Sequence, residues 1–443
     1  MLRRLIKIIM KLNNCSFFRV VRQTLSMLFP FALLGSFSQM IYRTFLSQDG
    51  LFYNVAYLGV WVPDWIMTIL QSAFIGVSKI TFNLFGILVA YAAAKYTARI
   101  YHRDSQLAGV TGIVAILIIA FRYDHVSVDR AIAFNWRLLG TQSLLIALIV
   151  GYVIGQIYHW LGIERNFQKT NQIISVRERS LYAMKPLVAS VMLAIIFTYI
   201  LNFSWLSKVL RGVYSQMVTV GHNNQGILLT IAGTTLVTIF DWLGLGNVAN
   251  SGAILSGGPF ASNLSYALRH GSAWHVPYPF FGGSLYNSFA NFGGNGLLLA
   301  LTIAIIITSQ SQGQHQVARW TLLPTLFNSE YAAMIGLPII MNPLYLLPIL
   351  ILPIVNILIA TGAIAIHLIP PTPYPVLVGT PGPLISFVAS NGNWWVLIFT
   401  LALFILDVWC FIPFVKIIDH FDKELYLDSS EVDYYVQKWR KSP

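Results

Sequence analysis

Charged residues are scarce in this sequence. Asp, Glu, Lys and Arg together make up 10% of its 443 residues, whereas a soluble domain carries about 25%. From residue 331 to residue 406 none of these four residue types occurs. Hydrophobic residues make up 56% of the chain and form long runs. These features exclude a soluble globular protein and predict an all-α, polytopic membrane protein.

Cysteine and the motifs of metal and nucleotide sites are also lacking. The two cysteines, Cys15 and Cys410, form no C-x-x-C pair, and no cluster of His, Cys and Asp has the spacing of metal ligands. No P-loop and no dinucleotide-binding glycine motif is present. We therefore predict neither a metal nor a cofactor. The net charge of +12 comes from basic residues scattered over several loops and both ends, which indicates membrane orientation rather than nucleic-acid binding.

Long apolar runs predict the membrane spans of the first part of the chain. These runs cover residues 24–45, 65–98, 106–121, 139–161 and 186–206. The run at 65–98 exceeds the ~20 residues that a span needs, so it includes an interfacial segment or a tilt. Loops rich in Lys and Arg alternate with loops that are poor in both. This alternation places the N-terminus and the charged C-terminal tail in the cytoplasm.

The composition changes after a polar, amphipathic segment at residues 208–224. Charge nearly vanishes, while Gly, Pro and Asn become frequent. Residues 249–295, which are rich in Gly and Pro, are predicted to be irregular. Further spans are predicted at residues 227–245, 296–308, 344–368 and 394–413.

Two apolar stretches, residues 322–343 and 370–393, are broken by Pro, Gly and Asn. Irregular backbone at membrane depth is tolerated only where it is buried in protein or lines a cavity. Paired broken stretches of this kind are typical of the segments around a transporter site. The alternative is that they are ordinary loops outside the bilayer.

The first broken stretch holds Glu330, the only acidic residue between Asp241 and Asp407. A carboxylate in such apolar surroundings is costly unless it meets water, a partner or a polar ligand. We therefore predict a polar site inside a membrane transporter. A carboxylate at a water-facing loop tip is the simpler alternative.

Several motifs in the second part of the chain carry a resemblance. They are L-F-N at residues 326–328, G-L-P-I-I-M-N-P at 336–343, T-P-G-P-L-I-S-F-V-A-S-N-G-N-W at 380–394, F-G-G-N-G at 292–296 and F-I-P-F-V-K-I-I-D at 411–419. The chain resembles the membrane subunit, enzyme IIC, of the bacterial phosphotransferase system in the lactose, cellobiose and chitobiose group. The similarity extends over nearly the whole chain.

The resemblance implies about ten transmembrane helices with two re-entrant hairpins. A cytoplasmic N-terminus (residues 1–23) would precede an N-terminal half that forms a homodimer (residues 24–206). An amphipathic linker (residues 207–224) would lead to a C-terminal half that binds the sugar and moves like an elevator (residues 225–415). A cytoplasmic tail (residues 416–443) would follow.

Two positions depart from the pattern of the family. The family reads L-F-N-x-N-E-P before its G-L-P motif, and without gaps its Glu falls on Tyr331 while Glu330 falls on its Asn. The family also has G-I-H-G after the linker, where Gly246 here replaces the His and Asp241 is an added acid. The chemistry of the site is therefore expected to differ in detail from that of the family.

The resemblance and the residue types together give the candidate site. A sugar needs hydrogen-bond donors, acceptors and an aromatic face, and a base helps a sugar hydroxyl to accept a phosphoryl group. Glu330 is the predicted catalytic residue. Each Asn in this set could instead cap a helix end or a turn. The predicted substrate-binding residues are Asn328, Glu330, Tyr331, Asp241, Asn247, Asn295 and Asn342.

Asp241 leaves two further interpretations open. Intramembrane acids are rare and face a cavity or a partner. Arg269 or Arg319 could pair with it in a salt bridge. Otherwise Asp241 could be a proton-linked acid with a raised pKa.

The prediction for function is a sugar permease of the enzyme IIC type in the bacterial inner membrane. It would carry a disaccharide or a related glycoside, coupled to phosphorylation by a separate, phosphorylated enzyme IIB. Cys15 and Cys410 lack the context of a phosphoryl carrier, so this chain would take part in phosphotransfer only with its partners. Membrane lipid and a second copy of the chain are the other expected partners. A proton-linked or uncoupled transporter and a non-transporting receptor remain the alternatives.

Overall fold

The computed structural model describes residues 15–123, 132–162, 180–203, 227–246 and 258–441. Residues 1–14 of the predicted cytoplasmic N-terminus, the linker at 207–224 and the candidate Asn247 lie outside these ranges.

The regular secondary structure of the described residues is helical, apart from one short hairpin. In the first part of the chain the helices are α1 (Ser16–Ile41), α2 (Leu51–Val55), α3 (Leu58–Trp61), α4 (Asp64–Asn83), α5 (Phe85–Ile100), α6 (Ser105–Ala120), α7 (Trp136–Leu139), α8 (Leu144–Leu161) and α9 (Met184–Phe203). In the second part they are α10 (Ile227–Trp242), α11 (Gly258–His270), α12 (Gly282–Phe289), α13 (Leu298–Thr308), α14 (Gln312–Leu326), α15 (Tyr331–Gly336), α16 (Pro343–Ala365), α17 (Ile385–Ala389) and α18 (Trp394–Lys441). A π-helical turn (Tyr42–Leu46) continues α1, and β1 (Phe121–Tyr123) pairs antiparallel with β2 (Ile132–Phe134).

Several of these helices can cross a membrane. Five segments in the described part of the chain are long and apolar enough, and three apolar helices are shorter, namely α6, the first part of α9, and α13. The prediction of a multi-pass helical membrane protein is therefore confirmed. The five long segments are Ser16–Leu46, Asp64–Ile100, Thr141–Leu161, Pro343–Ala365 and Trp394–His420.

The long apolar run predicted at residues 65–98 divides into α4 and α5. The break falls at Leu84, whose backbone dihedral angles (φ −104°, ψ 3°) are not helical. The excess length of this run is therefore explained by two helices rather than by one tilted span.

Small residues hold α5, α6 and α8 together. A Cβ atom added at Gly112 of α6 or at Gly151 of α8 would lie 2.7 Å from the carbonyl oxygen of Ala90 in α5. One added at Gly155 would lie 2.2 Å from the Cβ of Thr97. Close backbone approach at small residues is the usual way in which helices pack in membranes.

One sequence prediction in the second part is corrected. Residues 249–295 are not irregular throughout, because α11 and α12 lie within them and the glycines of these helices stand at their starts. The span predicted at residues 394–413 lies within α18, which runs through Pro413 and on to Lys441, so the charged tail is helical.

The two broken stretches contain short elements, as their glycines and prolines predicted. In the first, α14 ends at Leu326, α15 follows after a turn, and α16 begins at Pro343. Asn328 and Met341 have positive φ angles of 58° and 57° at the two turns. The second contains a 3-10 turn (Gly382–Leu384) and α17.

Candidate functional site

A cavity of about 200 Å³ lies where the two broken stretches meet. Its described lining residues include one cation, Arg43, and one anion, Glu330. This volume is below the ~300–1,000 Å³ of typical ligand pockets, so in this conformation the cavity holds only part of a disaccharide. The polar and aromatic side chains of its wall are Phe260, Ser284, Asn287, Ser288, Asn291, Phe327, Asn328, Thr372, Tyr374 and Thr380.

Glu330 is the acid of this cavity and is 3% exposed. It immediately precedes α15, and its Oε2 accepts a hydrogen bond of 2.8 Å from the backbone N–H of Asn295. Gly294 makes this approach possible, because a Cβ atom there would lie 2.2 Å from Oε2. Its φ of +111° is also a conformation that other residues rarely adopt. The glycine-rich turn at residues 292–296 therefore determines where the carboxylate of Glu330 lies.

Asn295 joins Glu330 to the second predicted acid, Asp241. Its side-chain Nδ2 donates a hydrogen bond to Oδ2 of Asp241, and its Oδ1 accepts one from the hydroxyl of Tyr286. Asp241 lies at the end of α10 and is 4% exposed. It does not line the cavity. Asp241 and Asn295 thus form a layer behind Glu330 rather than part of the cavity wall.

The proposed salt bridge of Asp241 with a basic residue is not found in the described part of the chain. Arg269 and Arg319 are both exposed, whereas Asp241 is buried and bonded to Asn295. An amide partner therefore takes the place that the sequence left open for Arg269 or Arg319.

Asn328 links three segments of the site. Its Oδ1 accepts a hydrogen bond of 3.0 Å from the backbone N–H of Gly293, and its Nδ2 donates one of 3.0 Å to the carbonyl of Thr380. The first broken stretch is thereby tied both to the glycine-rich turn and to the second broken stretch. Asn328 also lines the cavity, and its role in substrate binding stays a prediction.

Tyr331 and Asn342 lie away from the cavity wall. The ring of Tyr331 packs against Phe82 of α4 with 5.0 Å between centroids. Asn342 caps α16, since its Oδ1 accepts a hydrogen bond of 3.1 Å from the N–H of Leu344. Its carbonyl also accepts one of 2.9 Å from the indole N–H of Trp242. The capping role that the sequence left open for Asn is thus the one that Asn342 has.

The first helix supports the segment that carries Glu330. Ser329 Oγ donates to the carbonyl of Ser36, 3.1 Å away, and lies 2.9 Å from Oε1 of Gln39. The N–H of Ala332 donates to Ser36 Oγ over 3.0 Å. Residues on both sides of Glu330 are therefore bonded to α1.

Sequence reasoning missed Arg43, Ser284 and Asn291. Arg43 carried a signal, because it stands at the end of the first span that was predicted to face outward, where Lys and Arg are disfavoured. Ser284 and Asn291 carried none, since they lie in a region that was predicted to be irregular. Asn287 did stand out as a polar residue in an apolar segment, although it was not among the predicted site residues. Among the described residues, no group of three or more His, Cys, Asp or Glu could hold a metal ion.

Comparisons with known proteins give a consistent result. The family model described as "Phosphotransferase system, EIIC" matches residues 22–353, about three quarters of the chain. The cellobiose-specific EIIC component of Lactococcus lactis subsp. lactis is 27% identical over 270 residues. That match covers 60% of this chain and 50% of the Lactococcus protein, so it spans half the length of that relative.

A second relative matches over nearly its whole length. The oligo-beta-mannoside-specific EIIC component of Bacillus subtilis is 23% identical over 436 residues, which is 94% of this chain and 92% of that protein. Among solved structures, the transporter ChbC matches with a TM-score of 0.42 and 21% identity, over 93% of this chain and 95% of that one. ChbC is the IIC component of the N,N'-diacetylchitobiose-specific phosphotransferase system.

Proposed function

This chain belongs to the phosphotransferase system EIIC family, and we propose on that premise that it is a sugar permease. It carries a β-linked disaccharide or a related glycoside across the bacterial inner membrane, where a separate, phosphorylated enzyme IIB phosphorylates the sugar. The names of the relatives, which include cellobiose-specific and oligo-beta-mannoside-specific EIIC components, support this class of substrate.

The observation that carries the proposal is the cavity around Glu330. It combines a carboxylate, a guanidinium, three amides, several hydroxyl groups and aromatic rings within one wall. A sugar hydroxyl both donates and accepts hydrogen bonds, and the faces of sugar rings stack on aromatic side chains.

Glu330 has a defined part in the proposed phosphoryl transfer. The bond between phosphorus and the carrier cysteine of enzyme IIB breaks as a bond forms between phosphorus and a sugar hydroxyl oxygen. The proton of that hydroxyl passes to the carboxylate of Glu330, which acts as the general base. The N–H of Asn295 holds this carboxylate in place, and Asp241 and Tyr286 hold the Asn295 side chain.

The finer architecture is part of the proposal. The chain would have about ten spans, with residues 24–206 forming the homodimer and residues 225–415 carrying the sugar. Both termini would lie in the cytoplasm. The hydrogen bond between Asn328 and Thr380 supports the idea that the two broken stretches are re-entrant hairpins around one site.

The alternative of a proton-linked transporter is not favoured. Asp241, its proposed coupling acid, lies outside the cavity wall and is bonded to Asn295. The relatives are components of phosphotransferase systems.

The test is uptake of labelled cellobiose, lactose, mannobiose and N,N'-diacetylchitobiose into proteoliposomes, with and without phosphorylated partner proteins. The proposal predicts that phosphorylated sugar accumulates inside only when the partners are present. Equilibration of free sugar without partners would contradict coupling to phosphorylation. Failure to take up any of the four sugars would contradict the permease itself.

A further inference from the structure

We propose that Arg43 is a sugar-binding residue that the first helix contributes to the Glu330 cavity. This inference rests on the proposed function, since it assigns a residue to the same site. Every other described residue of the cavity wall comes from position 260 onward. The site would therefore be shared between the N-terminal and the C-terminal parts of the chain.

The local backbone directs Arg43 into the cavity. α1 ends at Ile41 and continues as the π-helical turn, which closes with a hydrogen bond of 2.8 Å from the N–H of Ser47 to the carbonyl of Tyr42. A π-helical turn contains one more residue than an α-helical turn and is frequent at functional sites. The extra residue turns the side chains of this segment relative to those of α1.

The second broken stretch packs against the π-helical turn and against the residues that follow it. The N–H of Leu51 donates to the carbonyl of Val378, and the N–H of Val378 donates to the carbonyl of Asp49, both over 2.9 Å. A Cβ atom at Gly379 would lie 2.4 Å from Oγ1 of Thr44. These contacts hold the wall at residues 376–380 against the segment of chain that contains Arg43.

The guanidinium of Arg43 has N–H donors that a ligand can use. It carries five N–H groups, and no hydrogen bond from them is found within the described residues. Its described interaction is electrostatic, with the carboxylate of Glu330. A cation in a membrane-spanning segment is costly without partners. A ligand that accepts hydrogen bonds would supply them.

Two more polar atoms of the wall indicate the same kind of ligand. Ser284 Oγ and Asn291 Oδ1 are buried and have no hydrogen-bond partner in the described part of the chain. Ser284 is only 9% exposed. Buried polar groups are normally paired, so each points to a group that binds in the cavity.

The distribution of charge favours an uncharged ligand. Arg43 and Glu330 carry opposite charges, and the other residues of the wall that the structure describes are neutral. Donors on Arg43 and Ser284 and acceptors on Glu330 and Asn291 together match hydroxyl groups, which need both. Arg43 thus donates to hydroxyl oxygens of the sugar while Glu330 accepts from a hydroxyl proton.

The experiment is calorimetric titration of the purified full-length protein in detergent with cellobiose, lactose, mannobiose and N,N'-diacetylchitobiose. Arg43→Gln is expected to weaken the Kd of the bound sugar about 10- to 100-fold, the usual effect of losing hydrogen bonds from a charged group. The Kd of Arg43→Lys should lie between those of the wild type and Arg43→Gln, because Lys keeps the charge but lacks the planar set of guanidinium donors. The matched control is Arg137→Gln, since Arg137 is exposed and does not line the cavity.

The outcomes separate this inference from the proposed function. If the wild type binds a sugar and Arg43→Gln binds it equally well, Arg43 is not a binding residue. If the wild type binds none of the four sugars, both the proposed function and the role of Arg43 are contradicted. Thermal melting shows whether Arg43→Gln is folded. If it is not, the Kd of Arg43→Lys is the test. A Kd of Arg43→Lys equal to that of the wild type would overturn the proposal.

Discussion

Two clusters of an acid and an amide lie buried in the second part of this protein, and they differ in what surrounds them. Glu330 and Asn295 border a cavity that also receives Arg43. Asp407 of α18 and Asn356 of α16 are both 0% exposed and line no part of that cavity. Asn356 Nδ2 donates to Oδ2 of Asp407 over 2.8 Å and to the carbonyl of Phe289 over 3.1 Å.

The difference shows that burial of an acid does not by itself indicate a site. Both acids stand out in the sequence against nearly uncharged surroundings. Only Glu330 has polar neighbours that face an open space, whereas Asp407 fastens one helix to another. The two clusters can therefore be separated by substitutions that change function in one and stability in the other.

The largest effect is expected for Glu330→Gln. Gln keeps the shape and an oxygen for the N–H of Asn295, but it cannot take a proton from the sugar. We expect the rate of sugar phosphorylation with phosphorylated partners to fall about 10²- to 10⁴-fold, which is the usual contribution of a general base. The measurement is the initial rate of phosphorylated sugar formation in proteoliposomes.

The matched control for that substitution is Asp407→Asn in the other cluster. It removes a buried acid of the same part of the chain without touching the cavity. Its rate should stay close to that of the wild type. Equal losses in the two variants would mean that the cavity has no special role.

The next effect is expected for Gly294→Ala. The added Cβ would collide with Oε2 of Glu330 and would hold a non-glycine residue at a φ of +111°, a conformation that costs on the order of 1–3 kcal/mol. The carboxylate would be displaced from the N–H of Asn295. Sugar affinity and melting temperature should both fall, as measured by titration and by thermal melting in detergent.

Gly233→Ala is the control for this change. Gly233 lies within α10, and nothing stands within 4 Å of a Cβ added there. Alanine in a helix interior is more stable than glycine by about 0.5–1 kcal/mol. A drop in sugar affinity for Gly233→Ala as large as that for Gly294→Ala would show that the collision with Glu330 is not the cause.

Asp241→Asn should have a smaller effect. The amide oxygen of Asn can still accept from Nδ2 of Asn295, so only the contribution of the charge is lost. Hydrogen bonds to charged groups exceed those to neutral groups by about 1 kcal/mol, which corresponds to roughly a fivefold loss of sugar affinity. The dependence of uptake on a pH gradient should not change. Its disappearance in the variant would instead support the proton-linked transporter.

The smallest effect is expected on protein stability, for a substitution in the cluster of Asp407 and Asn356. Oδ1 of Asp407 and Oδ1 of Asn356 have no partner among the described residues. The pair holds three acceptor oxygens for one amino group, and Asp407→Asn adds a second donor. We expect the free energy of unfolding to stay equal or to rise by about 1 kcal/mol at most. The melting temperature should therefore not fall.

Asp419→Asn in the same helix should act in the opposite direction. Asp419 uses both carboxylate oxygens, accepting from Ser309 Oγ over 2.9 Å and from the N–H of Gln310 over 2.7 Å. An amide can serve only one of these donors, so the melting temperature should fall. A rise for Asp419→Asn, or a clear fall for Asp407→Asn, would contradict this account of the two acids.

Much of the fold could be predicted from the sequence, because bilayer thickness sets the length of an apolar helix. The spans near α1, α8 and α16 follow directly from their apolar runs. The division of residues 65–98 into α4 and α5 could not be predicted, since the break at Leu84 carries no glycine or proline. Local sequence does not encode such breaks when packing determines them.

The site was predictable only in part. Glu330 and Asn328 stood out because they interrupt an apolar stretch, and both line the cavity. Asn342 stood out in the same way, yet it caps α16. The proximity of Arg43 to Glu330 could not be predicted, because the two residues are nearly three hundred positions apart in the sequence. It also depends on the π-helical turn that contains Arg43. Such contacts depend on tertiary packing rather than on local pattern.

The most direct test of the account is a structure determined by cryo-electron microscopy with the disaccharide that the protein takes up. The account predicts one sugar ring inside the cavity, with hydroxyl groups within hydrogen-bond distance of Glu330 and Arg43. A disaccharide bound elsewhere, with neither residue in contact, would contradict it.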